Sequence, residues 1–294
     1  MMSDVEPIFQ WPNGYRAAAS FSFDVDAESC VLAHDPGTAN RMSLMSHQAY
    51  GPRVGVPTLL RILDRQHIKA TFFVPGFTAE CYPDVVRAIA DAGHEIGHHS
   101  WAHIPNANQT RDEEEADLVR ANENIRKLTG HTARGYRSPS WDLSPHTIEL
   151  LIKHGFLYDS SLMGGDYIPY RARRGDKVEL GKPYGFGEET SLIEMPISWS
   201  LDDHPHFEFI RTPQTVAPGL QSARAVMQSW YDEFTYMKKT VDWGVLTYTM
   251  HPYVIARGYR MLALEDLVER LAKDGAVFVT MEQAAEEAKK KLFG

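Results

Sequence analysis

The stretch from Ala17 to Asp26, AAASFSFDVD, predicts a buried β-strand that ends in a pair of carboxylates. Small and aromatic apolar residues dominate it up to Phe23, and Asp24 and Asp26 follow. Alternate side chains of an extended chain point to the same side, so both carboxylates face one way. Two neighbouring carboxylates repel each other unless a cation or a proton separates them. The pattern therefore indicates a metal ligand beside a proton acceptor, or else a solvated turn rich in Asp.

A short apolar run, a turn and an amphipathic stretch recur in that order along the 294 residues. Strand-like runs are found at ATFFVPG, HEIGHHS, GYRSP, FLYDSS, SLIEMPIS, WGVLTYTM and AVFVTM. The stretches between them predict helices, and residues 164–190 predict a long surface loop because they show no clear period. This alternation favours an α/β fold, a closed or nearly closed β/α barrel of seven or eight strands. We predict one domain over residues 1–294, with its core at about 17–281.

Reactive side chains follow several of these predicted strands. In a β/α barrel the carboxyl ends of the strands form one rim, and active sites assemble there. The residues that the pattern places at this rim are Asp24, Asp26, His99, His103, Arg137 and His251.

The composition narrows the class of protein. With 43% hydrophobic residues the chain can bury a core, and 30 Lys and Arg against 39 Asp and Glu give a net charge of −9. Nucleic acid is an unfavourable partner for such a chain, because phosphate binding needs a basic face. No run approaches ~18 apolar residues and MMSDVEPIFQWPNG lacks an export pattern, so we expect no membrane span and a cytoplasmic protein. Cys30 and Cys81 predict ordinary thiols, and the acidic exterior is compatible with a homo-oligomer.

Two imidazoles four residues apart, His99 and His103, could be aimed at one ion by a helical turn or a tight loop. Together with one Asp they would supply three ligands and leave positions for water, as in catalytic metal sites. The alternative is a surface loop or a pair of core histidines.

The same region contains a rival motif, because His94-Glu95-Ile96-Gly97-His98 matches the HExxH signature of zinc proteases. That motif requires a helix. Gly93 precedes this segment, Gly97 interrupts it, and PDVVRAIADAG before it already predicts a complete helix. The segment is therefore predicted as a strand, in which the two histidines cannot share a helical face.

Two further motifs carry polar groups at strand ends. Arg137-Ser138-Pro139-Ser140-Trp141 combines a permanent cation, a rigid turn and an aromatic ring that could form a pocket wall. Arg137 could keep Asp24 ionised, or it could make a structural ion pair. His251 ends WGVLTYTM, where it suits a general acid, although a lone histidine is more often structural.

The motifs FDVDAE, HHSWAH, RSPSW, YDSS and TMHP occur in the order found in the polysaccharide deacetylase family, the NodB-like group of carbohydrate esterase family 4, which this chain resembles from about Phe21 to Met281. The segments SSLMG, EMPISWSLDD and MHP resemble a subgroup that contains peptidoglycan-deacetylase-like proteins and cyclic imide hydrolases. The resemblance implies a distorted β/α barrel.

The resemblance also implies roles for individual residues. Asp26, His99 and His103 match the metal ligands. Asp24 matches the catalytic base, His251 the catalytic acid, and Arg137 the residue that braces the base. Pro139, Ser140 and Trp141 fall at the substrate groove, where the family often has an aromatic residue in place of Ser140. The family has two adjacent aspartates where Val25 separates them here. An aspartate should support His251, with four candidates: Asp159, Asp166, Asp202 and Asp203.

These features predict metal-assisted hydrolysis of a non-peptide C–N bond. Zinc is the expected ion, and cobalt, nickel or manganese would also suit one carboxylate and two imidazoles. The predicted reaction is N-deacetylation of an N-acetylated glycan such as peptidoglycan, and the alternative is hydrolysis of a small cyclic imide or ureide, as in allantoinases. An Fe(II) oxygenase and a non-catalytic glycan-binding barrel are further alternatives.

Overall fold

Strand β1, Ala17–Asp24, forms where the sequence predicts it and is buried along its whole length. The computed structural model describes residues 17–211, 216–217 and 219–294. The predicted lack of an export signal, and the start of the predicted domain, fall on residues 1–16 and lie outside the described residues. Parallel neighbours flank β1: β10, Gly244–Met250, on one side, and β2, Thr71–Val74, on the other. Burial on both faces explains why β1 is almost continuously small or apolar.

The main sheet has nine strands and curls toward a barrel, which confirms the predicted distorted β/α barrel. Its order is β10-β1-β2-β3-β4-β5-β7-β6, and β11 also pairs with β1. Only β6 is antiparallel to its neighbour within this sheet. The remaining bounds are β3 Glu95–His98, β4 Gly135–Tyr136, β5 Tyr158–Asp159, β6 Tyr170–Arg174, β7 Glu188–Glu194 and β11 Val277–Phe278, with a separate hairpin of β8, Ile210–Arg211, and β9, Val216–Ala217.

The gap between the two ends of the sheet is bridged by isolated contacts. The backbone N–H of Val245 in β10 donates to the carbonyl of Tyr167 at 2.9 Å. Asp202 forms a parallel bridge with Thr249 near the end of β10. The barrel is therefore nearly closed, and the segment after β7 reaches the rim beside β10.

Helices pack around the sheet, and none among the described residues combines the length and apolarity needed to cross a bilayer. The longest of them begins with a capping box formed by Thr110 and Glu113, and it ends at Gly130 with φ 83°. The helices are α1 Ser29–His34, α2 Met42–Tyr50, α3 Val56–Arg65, α4 Gly76–Cys81, α5 Pro83–Asp91, α6 Arg111–Thr129, α7 Thr147–Lys153, α8 Asp203–Phe207, α9 Ala223–Thr240, α10 Pro252–Ile255, α11 Gly258–Lys273 and α12 Met281–Phe293.

The alternation along β1 divides its side chains between two environments. Phe21 and Phe23 belong to the large cluster that packs the sheet against its helices. Ser22 and Asp24 point to the other side, because both are bound by the buried guanidinium of Arg137. The period of two that marks the strand in the sequence therefore also directs Asp24 into the barrel.

Residues 164–190 differ from the predicted loop. They contain β6 and the start of β7, which form an antiparallel pair, and Lys177 and Gly185 form a further bridge toward the turn. Both strands carry exposed charged residues, so the apolar alternation that would have revealed them is weak. Tyr170 pairs with Glu194 and Arg174 with Glu188, so the turn lies beyond the amino end of β7, away from the rim.

Candidate active site

The rim of the barrel brings the predicted site residues together. Asp24 ends β1, His99 follows β3, Arg137 follows β4 and His251 follows β10. The parallel register of these strands places their carboxyl ends at the same edge. These side chains, with Asp26 and His103, are largely withdrawn from solvent.

Asp26 lies at the centre of this cluster. Its Oδ1 lies 3.4 Å from His99 Nε2, and its Oδ2 lies 3.4 Å from His103 Nε2. The three residues each offer a ligand atom within 4.8 Å of the others. Oδ1 of Asp26 is buried and accepts no hydrogen bond from the described residues. A buried carboxylate oxygen without a partner, facing two imidazole nitrogens, fits a divalent cation.

Local backbone and hydrogen bonds orient the two imidazoles. His99 Nδ1 donates to the carbonyl of Arg137 at 2.7 Å, so Nε2 is the nitrogen that faces Asp26 and would bind a metal ion. His103 ends a tight loop in which Ser100 and His103 both have positive φ, 57° and 59°. The Ser100 hydroxyl accepts a hydrogen bond from the backbone N–H of His103 at 3.1 Å. This loop, rather than a helical turn, aims both rings at Asp26.

Burial and neighbouring charges set the protonation of this cluster. Burial alone would raise the pKa of Asp26, but His103, His99 and His251 together lower that pKa well below its usual value. Burial is the main cause that lowers the pKa of His103 to about 4, against the opposing effect of Asp26. Asp26 is therefore ionised and His103 neutral at pH 7, the forms in which they bind metals.

Asp24 is held by Arg137 rather than by the histidines. One guanidinium nitrogen donates to Asp24 Oδ1 at 2.7 Å and to the Ser22 hydroxyl at 2.9 Å. The other two guanidinium nitrogens donate to Ser160, one to its carbonyl and one to its hydroxyl, each at 3.2 Å. Arg137 is fully buried and its guanidinium lies 4.2 Å above the ring of Phe73. A permanent cation fixed in this way pairs with the Asp24 carboxylate and holds its orientation.

His251 is supported by aspartates that follow β7. Its Nδ1 donates to Asp203 Oδ1 at 2.8 Å, and Asp202 Oδ1 lies 3.6 Å away. The structure thus selects Asp203, backed by Asp202, from the four candidates. Asp159 instead accepts a hydrogen bond from Ser161. His251 Nε2 points toward the cluster, 3.6 Å from Asp26 Oδ2.

The segment Pro139–Trp141 forms a single 3-10 turn at the rim. Ser140 and Trp141 both have positive φ, 55° and 53°, and Ser140 is exposed. Trp141, predicted as a pocket wall, is only 7% exposed because its ring stacks on Trp199 at 3.9 Å. Trp199, which the sequence did not mark, is 42% exposed and supplies the accessible aromatic surface.

A cavity of about 880 Å³ opens beside the cluster of Asp26, His99 and His103. His103, Ser140 and His204 contribute to its wall on the barrel side. Its opposite wall comes from α1, α2 and the turn between them, through residues such as Cys30, His34 and Leu44. Sequence reasoning missed this wall, since these short helices lack a marked apolar period. The HPH triplet after Asp203 is the sequence signal that points to His204.

The residues of the HExxH motif do not form a metal site. Glu95–His98 form strand β3, as predicted, and the two histidines have separate partners. His94 Nδ1 accepts a hydrogen bond from the backbone N–H of Ala70, and His98 Nε2 donates to the carbonyl of Leu118. Glu95 accepts hydrogen bonds from Thr71 and Tyr158 at 2.6 Å each. The three polar groups of this motif therefore serve the packing of the barrel.

Comparisons with known proteins agree with this architecture. The family model described as polysaccharide deacetylase matches residues 42–158. A peptidoglycan deacetylase of Helicobacter pylori is 35% identical over 284 residues, covering 92% of this chain and 96% of that protein. A crystal structure from Mycobacterium smegmatis, assigned by name to the polysaccharide deacetylases, is 38% identical with a TM-score of 0.85, covering 96% of this chain and 94% of that one.

A third similarity concerns the fold alone. The crystal structure of PuuE allantoinase has a TM-score of 0.74 at 22% identity, covering 94% of this chain and 91% of that one. The full-length identity to the Helicobacter pylori protein, by contrast, is high enough to place this chain in a family. Together with the motifs now assembled at one rim, it shows that the chain belongs to the polysaccharide deacetylase family.

Proposed function

We propose that this protein is a metal-dependent N-deacetylase of N-acetylated glycans such as peptidoglycan. The observation that carries the proposal is the placement of Asp24 and His251 beside the cluster of Asp26, His99 and His103, each held by a separate buried partner. The name of the Helicobacter pylori relative supports the substrate class.

Asp26, His99 and His103 would hold the metal ion. A bound divalent ion supplies a Lewis acid that polarises the amide carbonyl and makes water more acidic. Zinc is the ion we propose, because one carboxylate and two imidazoles form a common catalytic zinc set, and cobalt, nickel or manganese would also accept these ligands.

Asp24 is the proposed general base. Its carboxylate takes the proton of the attacking water, and Arg137 holds that carboxylate in place through a contact of 2.7 Å. Because the guanidinium is buried and fixed by Ser160, Asp24 also has a fixed orientation. Asp26 is not suited to act as this base, because its two carboxylate oxygens face the imidazoles of His99 and His103.

His251 is the proposed general acid. Asp202 and Asp203 counter the effect of burial and raise its pKa well above the usual value, so the ring is protonated at pH 7. Its Nε2 proton faces the reaction centre and would pass to the departing nitrogen. The result is a free amine and acetate.

The 3-10 turn at Pro139–Trp141 is the proposed substrate-facing segment. Ser140 lines the cavity, and a backbone N–H close to it would stabilise the charge that develops on the carbonyl oxygen. Buried Pro139 and Trp141 would fix the shape of this turn, and the exposed ring of Trp199 offers a surface on which a sugar ring can stack.

A small cyclic imide or ureide is the second candidate substrate. The observation in its favour is the cavity of about 880 Å³, which lies within the usual size range of small-molecule sites. The hairpin formed by β6 and β7 supplies no cover for the mouth, since its turn lies at the opposite end of the barrel.

The test compares both substrate classes with purified protein. Acetate release from N-acetylglucosamine oligomers and from peptidoglycan is measured beside ring opening of succinimide, with the metal content determined in parallel. We expect acetate release that a chelator abolishes and zinc restores. Ring opening without acetate release would transfer the assignment to the imide class. A folded protein that binds no metal and shows neither reaction would support the glycan-binding alternative.

A further inference from the structure

His204 lies beside the proposed general acid but has no role in the reaction proposed above. It is the second residue of α8, directly after Asp203, which supports His251. Its imidazole lies on the cavity wall, and its ring centroid is 5.3 Å from that of His251 at an interplanar angle of 61°. One short helix therefore fixes the proposed general acid from behind and places a second imidazole beside it.

The ring of His204 has free hydrogen-bonding capacity. Among the described residues no protein group hydrogen-bonds to either ring nitrogen. The hydrogen bonds of His204 are made by its backbone, whose N–H donates to Asp202 Oδ1 at 2.7 Å and whose carbonyl accepts from the N–H of Glu208 at 3.0 Å. His206 on the same helix differs, because its Nε2 donates to the carbonyl of Ser200 at 3.0 Å. A polar ring that faces a cavity with both nitrogens free is available to a ligand.

The surroundings of His204 restrict the kind of group it can bind. Burial, reinforced by the nearby charge of His251, lowers the pKa of His204 to about 4, so the ring is neutral at pH 7. A neutral imidazole offers one donor and one acceptor. Asp26 and Glu208 are close enough to influence it and would repel an anionic ligand, while His251 would repel a cationic one. A neutral group that can both donate and accept, such as a hydroxyl, is the matching partner.

We propose that His204 contacts the substrate and binds a ring hydroxyl of the sugar that carries the scissile amide. The inference rests on the proposed deacetylation of glycans. His251 would protonate the nitrogen attached to that sugar, and His204 is its neighbour on the cavity side. The sugar rather than the acetyl half therefore falls within its reach. The chain would favour N-acetylhexosamines over N-acetylated amines that lack hydroxyl groups.

The experiment uses the metal-loaded enzyme with di-N-acetylchitobiose and its 3-deoxy and 6-deoxy analogues. For His204→Leu we expect KM to rise about tenfold, the usual cost of one lost hydrogen bond, with a smaller change in kcat and an unchanged pH profile. The preference of the wild type for the hydroxylated substrate over one deoxy analogue should disappear. His204→Gln should restore most of it, because the amide also donates and accepts. His206→Leu is the matched control and should retain the preference.

Binding gives a second measurement that does not need turnover. Calorimetry with chelator-treated protein should show weaker binding of the disaccharide to His204→Leu than to the wild type. Unchanged binding and KM in an active variant would overturn the contact while the deacetylase assignment stands. A shifted pH profile with unchanged KM would also overturn it, since His204 would then act through His251. A wild type that releases no acetate from any glycan would overturn both proposals.

Discussion

Asp203 binds His251 at two points. Both carboxylate oxygens lie 3.0 Å from the backbone N–H of His251, and Oδ1 also accepts the Nδ1 proton at 2.8 Å. The double contact joins the start of α8 to the end of β10, 48 residues apart in the chain. It fixes both the position of the ring and the nitrogen that carries the inner proton, so Nε2 is the atom presented to the cluster around Asp26.

Asp203→Asn should therefore move the alkaline limb of the activity profile. The carboxylates raise the pKa of His251, so the acid form persists to high pH in the wild type. Removing one negative charge lowers that pKa, and the acid form is then lost at a lower pH. We expect kcat/KM at pH 8 to fall by roughly 10- to 100-fold, with a smaller loss at pH 6. Profiles from pH 5 to 10 measure this.

Asp202→Asn is the control for this change, because Asp202 lies 3.6 Å from the ring and makes no comparable double contact. It should shift the alkaline limb less. Identical profiles for Asp203→Asn and the wild type would exclude His251 as the acid that limits activity at high pH.

The two aspartates of the DVD motif should separate metal binding from turnover. Asp26→Ala removes the carboxylate that the two imidazoles face, so the purified variant should lose its metal. Asp24→Asn leaves those three ligands intact and should keep the metal, while turnover falls by roughly 10²-fold or more. Elemental analysis and acetate release measure both properties. A variant at position 24 that lacks metal, or is fully active, would contradict the division of roles.

Arg137→Met should destabilise the fold because it leaves Asp24 buried without its cation. Removing one partner of a buried ion pair costs about 3–5 kcal/mol of unfolding free energy. Urea denaturation measures this cost. The double variant Asp24→Asn/Arg137→Met should recover part of it, since no unpaired charge remains, although the contacts of Arg137 with Ser160 stay lost. Losses that simply add would mean that the two residues are not coupled.

The sequence predicts those parts of the site that follow from local patterns. Alternation along Ala17–Asp24 defines β1 and directs Asp24 inward, and the Gly residues around His94-Glu95 exclude a helix there. The convergence of Asp26, His99 and His103 follows from the common rim of parallel strands. Local patterns were sufficient because each of these residues belongs to, or closely follows, a strand.

Other parts of the site depend on contacts between distant segments. Nothing local distinguishes Asp203 from Asp159, and the choice arises only when α8 packs beside the end of β10. Trp141 is covered by the ring of Trp199, which lies 58 positions later in the chain. No local sequence period connects these two residues. The wall from α1 and α2 is likewise recognisable only once the chain has folded over the rim.

A buried pair of carboxyl groups near the rim should make stability depend on pH. Asp159 in β5 and Glu194 in β7 are direct partners in the sheet, and each has one side-chain oxygen without a hydrogen bond from the described residues. Burial raises the pKa of Asp159 to about 6, and burial together with Asp159 raises that of Glu194 well above its usual value. Glu194 also accepts hydrogen bonds from the backbone N–H groups of Ser161 and Leu162.

Because both pKa values are raised in the folded state, the native protein holds protons that the unfolded chain has already released above about pH 4. Stability should therefore fall as the pH rises from about 4 through 6 and beyond. Glu194→Gln keeps the acceptor for Ser161 and Leu162, removes one of the two charges and can donate to Asp159. We expect it to be more stable than the wild type at pH 8, by roughly 1–2 kcal/mol, and nearly equal at pH 4. Glu189→Gln, an exposed position on the same strand, should leave the pH dependence unchanged. Urea denaturation at pH 4 and pH 8 measures the unfolding free energy of each variant. If Glu194→Gln shows the same change of unfolding free energy with pH as the wild type, this pair does not hold the extra proton.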